Sequence, residues 1–157
     1  MRIVILPILH YNQLMKLILI IISLLYAPHI ALASKVLKVV DGDTLRMSQE
    51  FQKDIVRAIK NGSLKMPSVR IRGIDTPEKG WRGKCKKEQE LGLKATNYTK
   101  KIIKNAANIK IKNLSWGKYG GRVLADVEVD GVSLAEMLIK AKLARKYDGG
   151  KKRSWCE

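Results

Sequence analysis

In KKEQELGLKATNYTKKIIKN, Lys86 to Asn105, the residues Leu91, Ala95, Tyr98, Ile102 and Ile103 recur at helical spacing, with lysines on the other side. This is the clearest helix of the chain, and its neighbours decide the fold. Upstream, Lys35 to Val40 reads as a strand ending at Asp41-Gly42-Asp43, and Thr44 to Met47 as a second strand. Val69 to Ile74 reads as a third, closed by Thr76-Pro77 because proline cannot continue a ladder. Downstream, Ile109 to Ile111 and Val123 to Val129 alternate apolar and polar residues, as antiparallel strands do, with a turn over Trp116 to Gly121. Ser133 with Glu136 forms a capping box for a second helix running to about Ala141.

The order is three strands, a helix, two strands, a helix. It predicts an α+β fold built on a five-stranded Greek-key barrel of OB type, with one helix between strands three and four and another near the C-terminus. Gln49 to Lys60 places Phe51, Ile55, Val56 and Ile59 at roughly helical spacing, although a long hairpin also fits. The tail RKYDGGKKRSWCE, Arg145 to Glu157, reads as basic and irregular, and there are no internal repeats.

The first 33 residues are not expected to belong to this fold. They hold Arg2, Lys16 and no acid, an apolar run from Leu17 to Leu25, and the small-x-small sequence Ala31-Leu32-Ala33. That pattern predicts a secretory signal peptide over 1–33, with the domain over 34–157. Met15-Lys16 makes a tidier start than Met1, so translation is expected to begin at Met15; an uncleaved anchor is the alternative. The apolar run is short for a membrane span. The expected location is the periplasm or the medium.

The 157 residues carry 31 basic and 14 acidic side chains. Removing residues 1–33 takes away two bases and no acid, leaving +15. Such a charge on a small domain implies a polyanionic partner: nucleic acid, anionic lipid or acidic polysaccharide. Both histidines, His10 and His29, lie in the leader, so the domain has none. Imidazole bases, His metal ligands and Ser-His or Cys-His pairs are thereby excluded from it. Cys85 and Cys156 both survive, and an even count in an exported chain suggests a disulfide, with two free thiols as the alternative.

Three short motifs carry the candidate chemistry. VVDGDTL, Val39 to Leu45, reads first as a hairpin turn, but Asp43 lies just past it where a strand residue would ordinarily be apolar or Thr. In SVRIRGIDTPEKGW, Ser68 to Trp81, Asp75 can join Asp43 in an oxygen-only site for a hard cation such as Ca²⁺ or Mg²⁺. Arg70 and Arg72 share one face of a regular strand, and one of them can reach a phosphate. Glu78 is the acid left over to position and deprotonate a water. In KYGGRVLA, Lys118 to Ala125, Arg122 follows a glycine-rich turn and can supply a second fork.

Taken in order, VVDGDTL, VRIRGIDTPE and KYGGRVLADV closely resemble the thermonuclease, or staphylococcal nuclease-like, family over about Lys35 to Tyr147. The resemblance implies an OB-fold with a Ca²⁺-dependent nuclease site acting on DNA and RNA. It implies Asp43 and Asp75 as metal carboxylates, the Thr76 carbonyl as a third ligand, and Asp41 beside the metal. Arg70 and Arg122 match the phosphate-binding arginines and Glu78 the catalytic glutamate. Lys118 and Tyr119 match nucleotide contacts, and Tyr147 lies one residue out of register with another. Compared with the family pattern, about thirteen extra residues separate Asp43 from Arg70, and Gly121 is inserted before Arg122.

The resemblance further implies hydrolysis leaving 3′-phosphate ends; the protein is expected to be a monomer that prefers single strands and has no stable membrane association after cleavage. The main rival is a non-catalytic OB module that binds nucleic acid. A third reading is a cationic surface-active protein, which has no use for Asp43, Asp75 and Glu78.

Overall fold

The computed structural model of the chain describes residues 36–49, 68–117 and 122–157, with Lys16 and Phe51 as isolated positions. Contacts divide the chain at Ala31–Leu32, and everything below concerns the second unit. The expected leader apart from Lys16, most of the Gln49–Lys60 segment, and Lys118, Tyr119 and Gly121 lie outside the described residues. Among the described residues no helix is long and apolar enough to cross a membrane.

Alternation builds the sheet. Strand β6, Arg122–Val129, buries every second residue, Val123, Ala125, Val127 and Val129, because successive strand side chains point to opposite faces. Its neighbours are β3, Ser68–Ile71, and β5, Ile109–Trp116. Two more strands, β1 over Val36–Asp41 and β2 over Thr44–Met47, complete a mixed half-barrel of order β1-β2-β3-β6-β5. All these ladders are antiparallel except β3–β6, which is parallel and pairs Ser68 with Arg122 and Arg70 with Leu124. Leu45, Met47, Val69, Ile71, Val123 and Ala125 fill the concave side with Leu134 and Leu138 from the second helix. The result is the OB-like α+β arrangement expected from the order of elements.

Three two-residue strands add to the five of the half-barrel. The expected strand Val69–Ile74 is broken at Gly73, whose φ of +77° suits glycine alone at no cost. Beyond it β4, Ile74–Asp75, leaves the main sheet and pairs with β8, Arg145–Lys146, from the tail. Strand β5 runs on to Trp116, so Trp116 pairs with Val123 rather than opening the turn. It continues through a register shift at Asn113, which tolerates φ 54° and bonds Asp126 through its amide. β7, Val132–Ser133, adds a short ladder to β6.

Helix α1 spans Lys86–Asn105, as its periodicity predicts. Its most deeply buried seam is smaller and more polar than the expected face: Glu88, Gly92, Ala95, Thr96 and Thr99, with Tyr98, Ile102 and Ile103 half-buried beside it. The seam is small because two backbone segments lie directly against it. Thr99 Oγ1 donates to the Gly42 carbonyl at 2.7 Å, and a Cβ on Gly42 would sit 2.8 Å from that of Ala95. Helix α2, Leu134–Lys140, follows the cap in which Ser133 Oγ accepts from the Glu136 N–H.

Candidate active site

The β1–β2 turn delivers Asp43 and the β4 strand delivers Asp75, with Arg70 of β3 between them. Arg70 Nη1 donates to Asp43 Oδ1 at 2.8 Å and its Nη2 to Asp75 Oδ1 at 3.3 Å. The register explains the meeting. Thr44 pairs with Arg70, and Ile71 N–H donates to the Asp43 carbonyl, so the turn residue lies beside the third strand. Asp43 is only 1% exposed, and its other oxygen accepts the Thr76 backbone N–H at 3.0 Å. Thr76 itself is buried where the ladder ends at Pro77.

Burying a carboxylate disfavours its charge. Burial pushes the Asp43 carboxyl up from 3.8 to about 7; Arg70 and the Thr76 N–H oppose the rise and the neighbouring Asp41 adds to it. Asp41 Oδ1 is buried with no hydrogen-bond partner. An orphaned carboxylate oxygen beside a buried carboxylate whose charge is disfavoured by burial is the pattern that a divalent cation would relieve. Asp41, Asp43 and Asp75 offer oxygen donors alone, so the residues present fit a hard ion. Another tight group, Cys85, Glu88 and Cys156, offers no thiolate, because its sulfurs are joined in a disulfide.

Glu78 is placed by backbone packing. It follows Pro77 and runs directly over α1: a Cβ on Gly92 would lie 2.5 Å from the Glu78 carbonyl carbon. The buried carboxylate of Glu88, in the first turn of α1, accepts from the Glu78 N–H at 3.4 Å and the Lys84 N–H at 2.7 Å. Arg70, Glu78, Arg122, Tyr147 and Lys152 line one cavity of about 470 Å³. The structure thus brings Asp43, Arg70, Asp75 and Thr76 into direct contact and sets Glu78, Arg122 and Tyr147 around the adjoining space. Arg72 goes elsewhere. It lies in the turn after β3 and reaches Asp126 at 3.2 Å and Ser115 at 3.1 Å, a brace across β5 and β6.

Two residues of the tail join the site without having been singled out. Lys152 Nζ lies 2.6 Å from Asp75 Oδ1 and 3.8 Å from Glu78 Oε1. Trp155 is buried and its indole N–H donates to Asp75 Oδ2 at 3.3 Å. The signal that could have found them is the cysteine pair. Cys85 lies seven residues after Glu78, so a Cys85–Cys156 bond carries the tail back to the Asp75–Glu78 loop. That bond is present, with the two Cα atoms 5.9 Å apart.

An OB-like half-barrel that holds a carboxylate–arginine centre beside an open cationic cavity defines a class of domain suited to phosphate esters. The family described as Staphylococcal nuclease homologue matches residues 68–154, and the chain belongs to it. The chain is also similar to endonuclease YncB of Bacillus subtilis (strain 168), 32% identical over 111 residues. That similarity covers 69% of this chain and 44% of the relative, so the chain spans less than half of that protein's length.

Proposed function

We propose that the chain is an exported, Ca²⁺-dependent nuclease that hydrolyses phosphodiester bonds of DNA and RNA with little sequence preference, acting as a monomer. The observation that carries this reading is the convergence of Arg70, Glu78 and Arg122 on one cavity, with Arg70 also bonded to Asp43 and Asp75. Membership of a nuclease family and similarity to an endonuclease support it. The basic domain and the disulfide, which suits an oxidising compartment, support export to the periplasm or the medium.

Asp43, Asp75 and the Thr76 carbonyl would hold the ion, with Asp41 beside it. When bound, it supplies positive charge against the phosphoryl oxygens. Arg70 and Arg122 present planar forks of donors to the same oxygens and stabilise the charge that develops there. Glu78 takes a proton from the attacking water as the water oxygen bonds to phosphorus. The bond from phosphorus to the 5′ oxygen breaks, that oxygen takes up a proton from solvent water, and a 3′-phosphate end is left. Lys118, Tyr119 and Tyr147 contact the nucleotide. Single strands are preferred because a splayed backbone reaches the cavity most readily.

The test is purified protein with single-stranded DNA in Ca²⁺, then in excess chelator. Cleavage in Ca²⁺ alone, with 3′-phosphate ends by mass spectrometry, is expected. Glu78→Gln should lose about 10²–10⁴-fold in rate while still binding DNA. Intact DNA after incubation with folded protein in Ca²⁺ overturns the reading.

A further inference from the structure

Much of the positive charge near the site is not used by the chemistry above. A groove of about 830 Å³ opens beside Asp75 and Glu78, lined by Arg82, Lys84, Lys151, Lys152 and Arg153. Lys152 is paired with the two site carboxylates. Among the described residues, none of the other four has a carboxylate within the 4.0 Å of an ion pair. Of the remaining acids on the groove, Glu88 is taken by backbone N–H groups and Glu157 lies at the chain end.

Like charges gathered without partners repel each other, and a free tail would spread them. This one is tied at both ends. On one side β8 pairs with β4, and the Tyr147 N–H donates to the Gly73 carbonyl at 2.9 Å. On the other, Trp155 is buried on Asp75, Arg145 stacks 3.8 Å above its ring and bonds the Ser154 carbonyl, and Cys156 is bonded to Cys85. Lys151, Lys152 and Arg153 form the span between the ties. A fixed row of cations that begins at Glu78 matches a ligand whose negative charges also repeat along a chain.

We infer that Lys151 and Arg153, facing Arg82 and Lys84, form a phosphate track that carries the nucleic-acid strand away from the Glu78 centre. The inference rests on the nucleic-acid substrate proposed above and adds to it a second, non-hydrolytic contact region. Its span makes it useful to an oligonucleotide and not to a dinucleotide held at the centre alone.

The measurement is the salt dependence of binding for fluorescein-labelled dT12 and for the dinucleotide pdTpdT, in Ca²⁺, with the Glu78→Gln protein as the parent. Each phosphate contact on a single strand contributes about 0.7 to the slope of log affinity against log salt. Adding Lys151→Ala and Arg153→Ala should lower the dT12 slope by about 1.4 and leave the pdTpdT slope unchanged. Lys101→Ala with Lys104→Ala removes the same charge from the exposed side of α1 and should leave both slopes unchanged. An equal fall in the α1 control, an equal fall for pdTpdT, or no fall for dT12 each overturns the track. The readout is binding by a parent that does not need to cleave. A wild-type protein that leaves DNA intact therefore removes the nuclease reading while these slopes still decide the track.

Discussion

The Asp43 carboxylate shares its enclosed surroundings with a second carboxylate, Asp41, and one guanidinium, Arg70. Its ordinary value of 3.8 is raised to about 7 in the fold, chiefly by burial. Between those two pH values the folded protein holds a proton that the unfolded chain has released. The stability tied to this group is therefore fully present below pH 3.8 and is lost as pH rises through about 7. Asn at this position keeps the shape and cannot ionise. In chelator, the melting temperature of Asp43→Asn minus that of the wild type should rise between pH 5 and pH 8, read by thermal denaturation. A flat difference across that range would mean that Asp43 is ionised in the metal-free fold throughout, and that Arg70 outweighs its burial.

At the scale of elements, the question is what aims Glu78, which stands on a loop. The answer is α1, through Glu88 at its first turn and the bare backbone at Gly92. In a free helix, Gly→Ala gains up to about 1 kcal/mol from propensity. At Gly92 the new Cβ would lie 2.5 Å from the Glu78 carbonyl carbon and 2.6 Å from its oxygen, so the loop must move. Displacement of a catalytic group by about 1 Å can cost on the order of 10²-fold. Gly92→Ala should therefore lower kcat by about 10- to 100-fold while circular dichroism stays native. Unchanged kcat with a raised melting temperature would show that the loop is free of the helix. α1 was legible because twenty residues of one period outweigh local noise, and β6 because every second residue is apolar. Asp43 and Asp75 stood out because acids are scarce in this chain and these lie beside strand ends, and Arg70 because it stands on a strand five residues before Asp75. The break at Gly73 left a trace in the sequence, because Ile74 falls on the parity of Arg70 and Arg72, but the partner of β4 did not, being two residues of a basic tail. Lys152 and Trp155 were missed for the same reason: their places come from contacts made across the fold, not from any local pattern.

For the whole molecule, the Cys85–Cys156 bond is both a chain closure and a brace for the site. It joins residues 71 apart. In the chain-entropy account, closing a loop of that length removes denatured-state freedom worth about 4 kcal/mol. The same bond ties the Trp155–Asp75 contact to the N-cap of α1, where Cys85 Sγ accepts the Glu88 N–H. Loss of the bond therefore acts on the unfolded chain and on the site together. With an urea dependence of about 2 kcal/mol/M, the reduced protein should unfold at a midpoint lower by about 2 M. Cys156→Ser should reproduce that shift in the absence of reductant, because it removes the bond and leaves the backbone in place. Below its own unfolding transition, the reduced protein should also lose nuclease rate, since Trp155 and Lys152 are then tethered to Asp75 by side-chain contacts alone. An unchanged urea midpoint in reductant would place the whole of the tail's anchorage in the β4–β8 ladder and the buried indole, with the disulfide adding nothing to them.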